Sequence, residues 1–148
     1  MNNYANKVVW ITGASSGIGK ELAIQIADQG GQIILSARNE DALKELKNSL
    51  ANSDKHMVLP LDLADNKHFD KLAKQVIDKY QHIDYLFNSG GVSQRAEASK
   101  TDIEVDRMIM EVNYFGNIAL TKAVLPYMQK QKSGHIIVTS SIAGKFGF

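Results

Sequence analysis

Residues 12–19, with the sequence TGASSGIG, combine three glycines with two serines between an apolar run and a helical pattern. A chain that turns from a strand into a helix within a few residues needs glycine for positive φ, and a phosphate can approach the backbone only where no Cβ intervenes. Gly13 and Gly17 suit these two tasks, and Gly19 would let the helix pack closely on a sheet. The segment therefore predicts a phosphate-binding loop.

The phosphates are expected at the positive end of the helix, against Ser15, Ser16 and the N–H groups near Ile18. The spacing G-x-x-x-G-x-G departs from the dinucleotide pattern G-x-G-x-x-G. It also disfavours a nucleoside-triphosphate loop, because Glu21 stands where a Ser or Thr must bind magnesium. The alternative is a glycine-rich turn that binds no ligand.

Short apolar runs alternate with helical segments along the chain. The runs are rich in β-branched residues and predict strands at 8–11, 33–35, 57–59, 85–87 and 136–138. Phe69, Ala73, Val76 and Tyr80 mark the clearest helical stripe between them. This alternation predicts an α/β, Rossmann-type fold: a doubly wound parallel sheet in the strand order 3-2-1-4-5, with helices on both faces in three layers.

A longer helix is predicted to begin near Thr101, because Thr101 and Glu104 have capping-box spacing. Its apolar face comprises residues 105, 108, 109 and 112, and Pro126 is expected to kink or end it. We expect this helix to mediate homo-oligomerisation, since it would expose apolar surface.

Composition argues against several classes of protein. A net charge of +1 gives no broad attraction for nucleic acid or an anionic membrane. With no cysteine and four scattered histidines, neither disulfides nor a metal site is expected. No apolar run reaches the ~18 residues of a membrane span, so a soluble cytoplasmic protein is predicted.

Residues 12–19 resemble the TGxxxGIG signature of short-chain dehydrogenases and reductases, and other segments resemble that family in the same order. By this resemblance, Asp62 contacts adenine, with the Leu63 backbone beside it. Residues 88–91 are similar to the family's NNAG segment, although Ser89 and Gly90 stand where that pattern has asparagine and alanine. The resemblance implies that Asn88, Ser89 and Gly90 take part in binding the cofactor.

The same resemblance indicates the reacting groups. Asn113 falls where the family keeps an active-site asparagine, and residues 134–141, GHIIVTSS, resemble the segment that ends in the catalytic serine, here Ser141. The resemblance implies that Ser141 hydrogen-bonds the substrate oxygen and that Asn113 supports a water-mediated proton relay. The run NSGGVSQR, residues 88–95, resembles the dehydrogenase/reductase member 7 branch of the family.

The end of the second predicted strand carries a basic residue. Rossmann-type proteins that prefer NAD usually place an acid there, which hydrogen-bonds the ribose hydroxyls. This chain has Arg38 instead, whose guanidinium can bind a 2′-phosphate. NADP(H) is therefore predicted in preference to NAD(H), and the alternative is that Arg38 is a solvated residue at the start of the next helix.

Two further groups of the family's catalytic set are not found. The family uses a tyrosine and a lysine spaced Y-x-x-x-K, and none of the five tyrosines has a lysine at that spacing. We therefore expect residues 1–148 to form one NAD(P)-binding domain, the front part of an NADP-dependent carbonyl reductase or alcohol dehydrogenase acting on a small molecule, inactive alone. The alternative is a non-catalytic dinucleotide-binding module or a protein-interaction fragment.

Overall fold

The computed structural model describes residues 4–145, and its centre is a parallel sheet. The strands are β1 (Val8–Thr12), β2 (Gln32–Ser36), β3 (Met57–Val58), β4 (Tyr85–Asn88) and β5 (His135–Val138). They lie in the order β3-β2-β1-β4-β5, as the sequence predicted, and every pairing is parallel. The carboxyl ends of the strands therefore meet at one edge of the sheet.

Helices cover both faces of the sheet. They are α1 (Gly17–Asp28), α2 (Glu40–Ser49), α3 (Phe69–Tyr80), α4 (Ile103–Met110) and α5 (Asn117–Gln131). On β1, Val9 and Ile11 pack into a core with α1 and α2. Val8 and Trp10 point the other way, into a core with α3 and α5. Because successive strand side chains alternate between faces, a strand with a continuous apolar run, such as residues 8–11 of β1, is stable only between two layers of helices.

The predicted long helix is continuous but not uniform. A π-helical turn, Glu111–Gly116, joins α4 to α5. The predicted capping box is wrong, because Asp102 precedes the first helical residue and the Thr101 hydroxyl donates to the carbonyl of Glu97. Of the two effects expected of Pro126, ending the helix is excluded, since α5 runs on to Gln131, and a kink stays a prediction.

Apolar side chains remain exposed on α4 and the π turn. Ile103, Met108, Met110, Tyr114 and Phe115 are each between 44% and 62% exposed. The apolar surface expected on this helix is therefore present. Within the described part of the chain, no helix combines the length and apolar character needed to span a bilayer.

Candidate functional site

Loops at the carboxyl ends of β1, β2, β3 and β4 enclose a cleft of about 310 Å³. The chain leaves β1 towards β2 on one side and reaches β4 on the other, and open α/β sheets bind ligands at such a reversal of strand order. Many of the predicted site residues line the cleft: Gly13, Ser15, Ser16, Arg38, Asp62, Leu63 and Gly90. Residues not selected from the sequence complete it: Thr12, Ala37, Asn39, Leu61, Gly91, Val92 and Val112.

The glycine loop needs its first two glycines for different reasons. Gly13 has φ +67°, and a Cβ there would lie 2.7 Å from the carbonyl oxygen of Ser89. Gly17 has φ +53°, and a Cβ there would meet no atom within 4 Å. Gly13 therefore permits close packing against the turn after β4, whereas Gly17 leaves the surface before α1 open.

The start of α1 offers unoccupied backbone donors. Ser16 is the residue before the helix, its side chain makes no capping hydrogen bond, and the first turn contains no acidic residue. The first N–H groups of a helix have no partner within it, and together they carry a partial positive charge. This donor set beside the cleft fits the diphosphate of a dinucleotide.

Other predicted residues of the loop lie beside the cleft lining. The Ile18 side chain is 60% exposed, and it borders a shallow surface with Gly17 outside the cleft. Gly19 is buried against the carbonyl of Gly13, which leaves no room for a Cβ. A contact between these residues and a ligand stays a prediction.

Thr12 connects the glycine loop to the turn after β4. Its hydroxyl accepts hydrogen bonds from the N–H of Ser89 at 3.1 Å and of Gly90 at 3.0 Å, and it donates to the carbonyl of Phe87. Thr12 is the first residue of the TGASSGIG segment, and no role was predicted for it. A hydroxyl residue directly before the first glycine was the available signal.

The end of β2 presents a single charged group to the cleft. The buried Ser36 hydroxyl accepts a hydrogen bond from the Trp10 indole at 2.8 Å and donates one to the Leu59 carbonyl at 2.6 Å. Its proton is therefore not available to a ligand in the cleft. Asn39 caps α2 by accepting from the N–H of Ala42 at 3.1 Å. Arg38, between them, is exposed and forms no salt bridge within residues 4–145.

Asp62 and Leu63 form the wall after β3. The Asp62 carboxylate accepts from the N–H of Ala64 at 2.9 Å, which holds its exposed side chain at the rim. Leu63 is buried, and Gly116 packs so tightly on its carbonyl that a Cβ could not be accommodated. Gly116 was missed in the sequence, since its place in the π turn gives no local pattern.

Asn88 lies behind the cleft rather than in its lining. It is buried, and its amide donates to the Thr121 hydroxyl on α5 at 3.0 Å. This contact ties β4 to the helix layer. The next residue, Ser89, turns towards β5, where its hydroxyl is hydrogen-bonded to that of Thr139 at 2.8 Å.

Asn113 lies on the π turn and faces the loop after β4. Its amide oxygen accepts from the N–H of Val92 at 2.8 Å, and its amide nitrogen donates to the Val92 carbonyl at 2.7 Å. The backbone carbonyl of Asn113 accepts from the buried amide of Asn117 at 3.0 Å. Asn113 therefore fixes one wall of the cleft, and its part in a proton relay stays a prediction.

Ser141 lies outside the cleft lining. Its exposed hydroxyl accepts from the N–H of Ala143 at 3.1 Å and caps the short 3₁₀ turn Ile142–Gly144. Thr139, two residues earlier, links this segment to Ser89. Asn113 thus lies on an element that borders the cleft, since Val112 of the same π turn lines it, whereas Ser141 lies on a segment whose described part contributes no lining residue. Both catalytic roles stay predictions.

The described residues contain no obvious metal centre. From Tyr4 to Lys145, no group of three or more His, Cys, Asp or Glu side chains is placed to hold an ion.

Comparison with known proteins identifies relatives of the whole described fold. A family model described as short chain dehydrogenase matches residues 7–148. The chain is 45% identical over 150 residues to a dehydrogenase/reductase SDR family protein 7-like of Drosophila melanogaster, covering 98% of this chain and 46% of that protein. It is 43% identical over 142 residues to the human dehydrogenase/reductase SDR family member 7, covering 93% and 42%.

Solved structures have the same architecture. A short-chain dehydrogenase from Streptomyces avermitilis superposes with a TM-score of 0.90 at 34% identity, covering all of this chain and 53% of that one. A 7α-hydroxysteroid dehydrogenase, solved with NADH and 7-oxo glycochenodeoxycholic acid, gives 0.92 at 27% identity, covering 99% and 58%. The chain spans about half the length of the curated relatives it matches. It belongs to the short-chain dehydrogenase/reductase family and resembles the member 7 branch.

Proposed function

We propose that the chain binds NADP(H) as part of an oxidoreductase that transfers a hydride between the nicotinamide and a carbonyl or alcohol. The observation that supports this best is the shared cleft of Arg38 and the glycine loop. One end offers a guanidinium for a 2′-phosphate, and the other offers backbone amides for a diphosphate. The adenosine ribose, which carries both groups, would lie between them, and the adenine would lie against Asp62 and Leu63.

The nicotinamide would then extend towards the turn after β4. Gly90, Gly91 and Val92 line that end of the cleft, and small or backbone-presenting residues leave space for a ring. When bound, the cofactor supplies or accepts the hydride. The chain's own task there is to hold the substrate oxygen, for which Ser141 is our proposed donor, and to support proton movement through Asn113.

The reaction also needs a group that donates or removes the proton of the substrate oxygen. The Ser141 hydroxyl caps a turn and no base is hydrogen-bonded to it in residues 4–145, so it is a poor proton donor at neutral pH. No tyrosine of the chain has a lysine at the Y-x-x-x-K spacing. We therefore propose that residues 1–148 alone bind the dinucleotide without turnover.

A second candidate function follows because residues 1–148 contain no tyrosine and lysine at the Y-x-x-x-K spacing. The chain would act as a dinucleotide-binding module that performs no chemistry. Both functions predict that residues 1–148 alone do not oxidise NADPH with a panel of carbonyl compounds, and a Y-x-x-x-K segment encoded after residue 148 would favour the enzyme over the module. Turnover by the 148-residue chain would contradict our account of the proton donor.

Binding can be measured without a label, because Trp10 is the only tryptophan and lies buried in β1. We expect titration with NADPH to quench Trp10 emission to saturation and to bind more tightly than NADH. Arg38→Asp should weaken NADPH binding about ten- to a hundredfold, since it removes a charge-assisted contact, and should shift preference towards NADH. Lys71→Asp, with the same charge change on the exposed side of α3, is the matched control.

Two results would overturn the proposal at different levels. If folded protein shows no saturable signal with either dinucleotide, the oxidoreductase function itself fails. If Arg38→Asp leaves the preference unchanged, dinucleotide binding stands and the NADP assignment fails.

A further inference from the structure

Ser89 is anchored by its backbone to the glycine loop. Its N–H donates to the Thr12 hydroxyl at 3.1 Å, and its carbonyl packs where Gly13 lacks a Cβ. The following residue, Gly90, lines the cleft. The position of Ser89 therefore determines how the turn at residues 89–92 borders the proposed nicotinamide end.

The Ser89 side chain points away from this loop and reaches the end of β5. Its hydroxyl lies 2.8 Å from that of Thr139, and the Thr139 N–H donates to the Asn88 carbonyl at 3.0 Å. The turn after β4 and the segment after β5 are thus joined by one backbone and one side-chain hydrogen bond at the same place.

Thr139 is the last point at which the described chain is hydrogen-bonded to another element. From Ser140 to Lys145 the described hydrogen bonds are local: Ala143 to the Ser141 hydroxyl, Gly144 to the Ser141 carbonyl, and Lys145 to the Ile142 carbonyl. The segment that carries Ser141 is consequently located relative to the cleft through Thr139.

The pair depends on the particular residues of this chain. The family pattern has asparagine at the position of Ser89, whereas here two short hydroxyl side chains meet. Thr139 is exposed and Ser89 half-buried, so water can replace the bond without leaving an unpaired buried group. Removing it should change local geometry more than global stability.

We propose that Ser89 and Thr139 form a positioning pair that holds the turn at residues 89–92 against the segment after β5, and that this turn borders the nicotinamide of the bound dinucleotide. This inference rests on the proposed function. It predicts that the pair affects the nicotinamide end of the cleft and leaves the Arg38 end unchanged, because none of its contacts reaches the loop after β2.

The test compares two ligands, NADPH and adenosine 2′,5′-bisphosphate, which keeps the 2′-phosphate and lacks the nicotinamide. Ser89→Ala and Thr139→Val each remove the bond at nearly constant shape. We expect each to weaken NADPH binding about three- to tenfold, the loss of one hydrogen bond, and to leave binding of the bisphosphate unchanged. The double variant should equal either single variant, because both remove the same bond.

Thr139→Ser keeps the hydroxyl and should bind NADPH as the parent chain does. An equal loss of affinity for both ligands, or weaker NADPH binding by Thr139→Ser than by the parent chain, would assign the pair a purely structural role and overturn the inference. Unchanged NADPH binding in Ser89→Ala would overturn it as well. If the parent chain binds the bisphosphate and NADPH equally, the positioning role fails while the Arg38 site stands, whereas binding of neither removes both proposals.

Discussion

The imidazole Nδ1 of His56 accepts a hydrogen bond from the backbone N–H of Ile33 at 3.1 Å. The other ring nitrogen, Nε2, lies 2.9 Å from the carbonyl of Ala51, so the neutral ring with its proton on Nε2 satisfies both contacts. His56 is almost fully buried. A buried imidazole thus links β2 to the loop before β3.

This geometry predicts that stability depends on pH. Burial lowers the pKa of His56 below its ordinary 6.5, and nearby Lys47 and Lys79 act in the same direction, against Asp54 and the bond to Ala51. Above pH 6.5 the ring is neutral in both states. As the pH is lowered below 6.5, the unfolded chain binds the proton before the folded chain does. The free energy of unfolding therefore decreases as the pH decreases, by up to about 1.4 kcal/mol per pH unit, until the pKa of His56 in the folded chain is reached.

Urea unfolding between about pH 5 and 8 measures this slope. His56→Asn keeps an acceptor near Ile33 and does not titrate, so its slope below pH 6.5 should be shallower. His68→Asn, at an exposed position, is the control and should keep the parent slope. Equal slopes for His56→Asn and the parent chain would show that His56 is not the source.

Asn113→Ala should loosen the wall formed by Val92. The substitution removes two hydrogen bonds between a side chain and a partly exposed backbone, which together contribute about 1–2 kcal/mol. Asn48→Ala, at an exposed helical position of α2, makes the same change in helix propensity. We expect the unfolding free energy of Asn113→Ala to lie about 1–2 kcal/mol below that of Asn48→Ala, and a difference near zero would contradict this.

Substitution of Gly13 by alanine should mainly reduce stability, whereas substitution of Gly17 by alanine should mainly reduce NADPH binding. At Gly13 the new methyl group would clash with the Ser89 carbonyl, in addition to the strain of positive φ, so a loss of several kcal/mol is expected. At Gly17 only the strain remains, roughly 1 kcal/mol. The Gly17 methyl group would nevertheless occupy the open surface proposed for phosphate.

We therefore expect Gly17→Ala to weaken NADPH binding more than its small change in melting temperature explains. Thermal unfolding and Trp10 quenching on the same samples measure the two quantities. Full NADPH affinity in Gly17→Ala would exclude a close approach of phosphate to this residue.

Self-association is the fourth expectation, and it concerns the apolar surface of α4 and the π turn. Phe115 is 50% exposed, so Phe115→Glu should cost little stability and should shift any oligomer towards monomer. Sedimentation velocity measures the distribution. Gln75→Glu adds the same charge on the exposed side of α3 and should change nothing, while an identical distribution for Phe115→Glu would exclude this surface as the interface.

The sheet was predictable because its signal is local. Each strand core is a run rich in β-branched or aromatic residues. The structure extends four of them by polar ends such as Gln32, Ser36 and Asn88, whereas β3 ends one residue earlier than predicted, at Val58. Part of the cleft lining was predictable as well, because the glycine loop and Arg38 come shortly after predicted strands. Such positions are determined by chain order alone once the sheet is parallel.

Contacts between distant elements were not predictable. Gly116 is required by the Leu63 carbonyl, far away in the sequence, and Asn88 was assigned to the cofactor although its amide faces Thr121. The capping-box spacing at Thr101 was misleading because the Glu97 carbonyl competes for its hydroxyl. For Gly116 and Asn88 a tertiary partner, invisible in the local pattern, decides the role, whereas at Thr101 the competing carbonyl is only four residues away.

Because of the π turn, the effect of deleting one residue depends on where in the chain the residue is removed. A residue advances an α-helix by about 100°, and a π turn accommodates one extra residue without breaking the helix. Deleting one residue between Glu111 and Gly116 would convert the π turn into an ordinary α-helical turn and keep Leu120 and Val124 facing the core in which they are buried. A deletion of equal size in the regular helix, between Asn117 and Leu120, would rotate the residues that follow by about 100° and turn them partly towards water, so chain length here is constrained by angle rather than by distance.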